Sequence, residues 1–154
     1  MNESKNKKVN ILFKIVEAKK ISYYENDLSD LGLKDKKYNN STVDYGVASQ
    51  IDEERGKIQI KFIAKFYLKE DEKKLDLFGV ETVHGFKIQN FKKVILKVKN
   101  QYKIPDSLML TFLNLSVSGS RGMLAILNSK PEFSNILFPI INIKELLNLI
   151  KKSK

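Results

Sequence analysis

His84 is the only histidine in the chain, and with cysteine absent it is the first residue to consider as a general base or metal ligand. Imidazole chemistry needs an orienting partner or a second ligand, and no other His or Cys exists to serve. Between Val83 and Gly85 it reads instead as a strand residue near a bend. Asp52, Glu53 and Glu54 gather three carboxylates, yet they lack the ligand spacing of a calcium loop. Followed by Arg55 and Gly56, they read as a solvated hairpin turn. Gly119, Ser120, Arg121 and Gly122 spell G-x-x-G, which clamps a nucleic-acid backbone in KH domains. Here the motif closes a helix and leads into a linker, where Arg121 reads as a structural cation. There is no P-loop, dinucleotide-binding glycine motif or G-x-S-x-G elbow. No catalytic constellation forms, so a non-enzyme without metal or cofactor is expected, with carboxylate-only chemistry left open.

Lys87, Lys92, Lys93, Lys97, Lys99 and Lys103 make a run free of acids, with Phe86, Phe91 and Tyr102 interleaved. Basic charge plus aromatics is the composition of a single-stranded nucleic-acid surface, which makes 87–103 a candidate. The wet face of a lysine-rich sheet gives the same pattern, and this run holds no arginine to read bases. The whole chain is basic, with 28 Lys plus Arg against 18 Asp plus Glu and a formal charge of +10. Its arginines are Arg55 and Arg121 alone, so the charge suits attraction at a distance better than bidentate recognition.

At 154 residues and 42% hydrophobic, the chain suits one domain. The expected division is a disordered tail over 1–8, a domain over 9–150 and a basic tail over 151–154. The absence of cysteine removes disulfides, thiolate nucleophiles and Cys-ligated metals. The polar start shows no signal-peptide core, and no stretch approaches the roughly 20 apolar residues of a bilayer span. A soluble protein of the cytoplasm is expected.

The elements that position these residues follow from periodicity. Val9, Ile11, Phe13 and Ile15 alternate in a first strand reaching Tyr24, with a slip near Glu17 and Ala18 that predicts a bulge. A long polar crossover loop over 26–42 carries Leu31 and Leu33 beside Gly32. A weak second strand spans 43–51. In the third, Ile58, Ile60, Phe62, Ala64, Phe66 and Leu68 share one face against lysines on the other, a half-buried antiparallel strand. The fourth spans 75–88, with Gly79 and Gly85 as kinks or points of close backbone approach. Residues 91–102 fit neither period and remain open between strand and helix.

Pro105 and Asp106 open a helix that is apolar almost all round over 108–115, which suggests a subunit interface through Phe112. Ser116, Ser118, Gly119 and Ser120 then offer a partner backbone close approach, and Gly122 is expected to end the helix. Asn142 and Glu145 have capping-box spacing for a second helix. Four strands followed by two helices predict an α+β fold, a four-stranded antiparallel sheet with both helices on one face.

The series Pro105, apolar helix, Ser120-Arg121-Gly122, Phe133, Ile136 to Pro139, Ile141-Asn142, Leu146 and Leu147 resembles the SecB family of export chaperones. Lys19 to Tyr23 and Gly85 to Ile88 extend the likeness over about 9–150. The resemblance implies a homotetramer, or at least an oligomer, that holds unfolded polypeptides in apolar grooves without ATP for protein export. It also implies that Leu31, Leu33, Phe133, Ile136, Leu137 and Phe138 line the groove. Apolar, adaptable side chains suit such binding because it must accept many sequences. Where members of the family present carboxylates to the SecA motor, this chain has Lys20, Tyr24 and Gly79, so that contact is in doubt. A SecB-like chaperone guarding an antitoxin or another specific client is the alternative the resemblance offers.

Overall fold

The third strand is the spine of the fold. In the computed structural model, Ile58, Ile60, Phe62, Ala64, Phe66 and Leu68 are all buried on one face of β3 (Lys57–Glu70), as their alternation predicts. The structure describes residues 10–32, 41–128, 130–133, 136 and 138–152. Around β3 stand β1 (Phe13–Glu25), β2 (Thr42–Asp52) and β4 (Lys73–Ile88), in the order β1-β4-β3-β2 and antiparallel throughout. Because β1 pairs with β4 and β2 lies at the opposite edge, the intervening chain must cross the sheet. This is the long crossover read from the sequence.

The register of β1 against β4 slips twice, between Ile15 and Glu17 and between Lys20 and Ser22. Bulges in an edge strand hinder pairing with another chain. What crowds Gly79 and Gly85 is side chains and not backbone: a Cβ at Gly79 would sit 2.5 Å from Tyr24 Cε1, and one at Gly85 2.5 Å from Lys57 Cε and 2.9 Å from Glu17 Cβ.

The undecided segment contains both structures. A single turn, α1 (Phe91–Val94), precedes a hairpin of β5 (Leu96–Val98) and β6 (Gln101–Lys103). Lys99 and Asn100 form its turn, both at positive φ, as a tight two-residue hairpin requires.

The long helix α2 (Asp106–Leu127) lies over β3 and β4, and α3 (Ile143–Lys152) lies over β2. Asn142 caps α3: its Oδ1 accepts from Lys144 N at 3.1 Å, and its Nδ2 donates to Glu145 Oε1 at 3.2 Å. Lys151 and Lys152, expected in a basic tail, form the last turn of α3, where Lys151 pairs with Asp106 at 2.7 Å. The helix-stop expectation at Gly122 is corrected, since α2 continues to Leu127 and Gly122 is an exposed interior position. By length and composition α2 is also apolar enough to cross a membrane, contrary to expectation. Its buried face is seated on the sheet, as in the core helix of a globular domain.

The subunit-interface assignment on α2 is corrected too. Phe112 stacks on Phe86 of β4, with ring centroids 4.2 Å apart. Ser116 and Ser120 are buried, and Gly119 lies over His84. All four face the chain's own sheet. Small residues do allow a second backbone to approach α2, but that backbone is β4.

Candidate functional site

Two irregular segments meet over the aromatic end of the sheet. The first leaves β1 through Asn26, whose N and Nδ2 donate to Leu77 O and Asp76 O, each at 2.8 Å. Asp27 Oδ1 then accepts from Ser29 N (2.9 Å) and Ser29 Oγ (2.6 Å), and Gly32 turns at φ +69°. This local turn drives Leu28 into the core and packs Leu31 against it.

The second segment links α2 to α3. Asn128 Nδ2 donates to Phe133 O at 3.2 Å, and a short 3-10 turn spans Pro131–Phe133. Arg121 Nη2 donates to Pro139 O at 2.8 Å, with its guanidinium 5.2 Å from the Phe138 ring centroid. The structure thus explains the Ser-Arg-Gly run: Ser120 ties α2 to the sheet while Arg121 ties the linker to α2. Lys130 Nζ donates to Asn26 O at 2.8 Å and joins the two segments directly.

Beneath them, Phe66 and Phe78 stack at 4.4 Å. Phe133 packs on Phe78 at 4.9 Å, and Phe138 spans Phe66 at 5.7 Å and Phe62 at 6.1 Å. Of the residues proposed to line a groove, Leu31, Phe133, Ile136 and Phe138 pack onto the same core. Leu33 and Leu137 lie outside the described residues. Phe133 and Phe138 lie directly on the aromatic floor, and Leu31 and Ile136 belong to the same packed core. Phe133 and Ile136 are buried, while Leu31 and Phe138 are half-buried. Closing apolar side chains onto such a floor is favourable, at about 25 cal/mol per Å² removed from water. The floor residues Phe62, Phe66 and Phe78 were not singled out as binding residues. Alternation places the first two on the inner face, but only the pairing of Phe66 with Phe78 shows where aromatics gather.

The other candidates have structural roles. His84 is 3% exposed, with neither ring nitrogen bonded to any described residue, and burial holds its pKa below the usual value. Glu53 accepts from Tyr102 Oη at 2.7 Å and Lys97 Nζ at 3.2 Å, which lowers its pKa, and Asp52 Oδ1 accepts from Arg55 N at 3.0 Å. Among the described residues no three His, Cys, Asp or Glu converge to hold a metal ion. The stacking platform required over 87–103 does not form: Phe86 and Phe91 are buried, and Tyr102 is half-buried beside Lys97. Tyr24 and Gly79 sit together on the outer sheet face, whereas Lys20 pairs opposite Thr82, which is buried on the helix side.

No family model and no curated protein matches the chain. Among solved structures it is similar to a SecB-like chaperone from Mycobacterium tuberculosis in complex with an antitoxin peptide. The identity is 10% and the TM-score 0.43, covering 84% of this chain and 88% of that one. It also aligns with a protein of unknown function from Streptococcus agalactiae at 13% identity and TM-score 0.24, covering 80% and 95%.

Proposed function

We propose that this chain is a subunit of an oligomeric, ATP-independent chaperone of the SecB type that holds non-native polypeptide in the cytoplasm. A client enters where the crossover segment and the interhelix linker meet, displacing them from Phe62, Phe66 and Phe78. The observation that carries this reading is the nature of the cover. An aromatic floor is closed by irregular segments that a Lys130–Asn26 hydrogen bond joins, instead of by a strand or helix. Loop cover opens at lower cost than regular structure, and aromatic floors accept varied apolar side chains. Release to a downstream acceptor then needs only competition for the same floor, with no catalytic step. An exported precursor and a guarded antitoxin are bound by the same chemistry, and the client alone separates the two roles.

The subunit also leaves apolar surface for a second copy. Ile15 of β1 is 53% exposed and pairs opposite Phe86, the residue on which Phe112 stacks. Leu115 follows Phe112 by one turn, and Ile126, 85% exposed, lies three turns beyond Leu115 on the same side of α2. Assembly through this side replaces the interface first assigned to Phe112, Ser116, Gly119 and Ser120.

Suppression of aggregation of a heat-unfolded reporter enzyme, followed by light scattering without ATP, tests the function. The wild-type protein should suppress it. Phe138→Ser, which loosens the cover a client must displace, should increase suppression while keeping the circular dichroism spectrum, because Phe138 is only half-buried. Failure of the wild-type protein to suppress aggregation at molar excess overturns the reading.

A further inference from the structure

On the sheet face turned away from the helices, the register aligns Lys14 of β1, Lys87 of β4 and Lys57 of β3 in one cross-strand row. Like charges directly opposite one another oppose strand pairing, so this row weakens the sheet that carries it. Glu17, one outer row further on, bonds Lys57 and holds Lys19 at 2.7 Å, drawing its own pKa down to about 2. Lys14 and Lys87 have no carboxylate partner among the described residues. Lys92 and Lys93 of α1 stand beside them, and the group lines a cleft of about 900 Å³ that also exposes Val16.

We propose that this cleft docks an acidic, extended polypeptide segment of a partner protein. Its carboxylates would lie on Lys14, Lys87, Lys92 and Lys93, with an apolar side chain against Val16. Alternate side chains of an extended peptide recur on one side about every 6.6 Å, and neighbouring strands of the sheet lie about 4.8 Å apart. Flexible lysine stems bridge that difference easily. The lining argues against nucleic acid. Its aromatic residue, Phe91, is buried out of reach of a base, so the cleft offers no stacking platform. The cleft is on the sheet face opposite the phenylalanine floor, so this proposal stands or falls apart from the chaperone reading.

Fluorescence anisotropy of the full chain tests it with three labelled probes: a twelve-residue peptide with Glu at alternate positions, the same peptide with Gln for Glu, and an oligothymidylate. At low salt the acidic peptide should bind best and weaken with added salt. The Lys14→Gln/Lys87→Gln double variant should bind it at least tenfold more weakly, and Lys65→Gln, on the same face but outside the cleft, should not change. Melting of the double variant at or above the wild-type temperature separates lost docking from lost folding. Should it fail to fold, Lys93→Gln on the exposed turn of α1 provides the same readout. Tighter binding of oligothymidylate, equal binding of the Gln peptide, no binding of the acidic peptide, or indifference to the lysine substitutions overturns the proposal.

Discussion

Gly119 of α2 lies directly over the imidazole of His84 on β4. A Cβ built on Gly119 overlaps Nε2 and comes within 3.1 Å of Cδ2. The absence of a side chain at Gly119 lets the helix pack closely over His84. His84 is buried beneath it, 3% exposed.

Gly119→Ala should therefore destabilise the fold by about 1–3 kcal/mol, because overpacking outweighs the roughly 1 kcal/mol that alanine gains in helix propensity. His84→Ala in the same chain should recover much of that loss, which a double-mutant cycle by urea denaturation will read. Gly122→Ala, three residues on, is the control. Nothing lies within 4 Å of its built Cβ, so it should stabilise by up to about 1 kcal/mol.

Thr82 and Ser120 join sheet to helix through hydroxyls 2.7 Å apart. Ser120 Oγ already donates to Ser116 O at 2.7 Å, so Thr82 supplies the proton between them. Ser120→Ala should cost about 1–3 kcal/mol, because a buried donor is left unpaired. Thr82→Val combined with Ser120→Ala should cost less than the sum of the two singles, measured by chemical denaturation.

Stability should depend on pH through two groups. Burial lowers the folded pKa of His84 from 6.5, so the unfolded chain binds its proton first. Stability is then lost as pH falls below 6.5 toward the folded value, and His84→Leu should flatten that slope. Glu17, depressed from 4.5 to about 2 by Lys19, Lys57 and Gln59, contributes stability above 4.5 that is lost as pH falls through the folded value. Glu17→Gln should remove that second step in thermal melts and, by unmasking Lys57, lower stability at neutral pH.

Light scattering of the wild-type chain should give a mass of at least a dimer. Ile126→Asp, which places a charge on an 85% exposed apolar position, should shift the mass toward the monomer and leave the spectrum of the fold intact. Gly119→Leu, by contrast, should act on folding, since Gly119 meets its own sheet.

Phe133 and Phe138 show how a motif is legible without its burial. Both stand in the linker that the family resemblance marks as groove-lining, and nothing local separates them. The fold does: Phe133 is sealed against Phe78, so Phe133→Ser should cost folding itself, whereas Phe138 remains half-exposed under Arg121. Leu28 was not picked out in the crossover for the same reason. Its burial depends on Asn26 bonding to Asp76 O and Leu77 O, about fifty positions away.

What the amino-acid order determined on its own is whatever repeats along a few residues: the two-residue period of β3, the cap of α3 at Asn142, and four strands before two helices. Such patterns are local, because side-chain direction and end capping depend on near neighbours. Tertiary structure alone decided which side of α2 meets the sheet, since a helix apolar all round carries no sign of its own orientation. It alone also set Lys14, Lys57 and Lys87 in one row, because strand register is a relation between residues far apart in the chain.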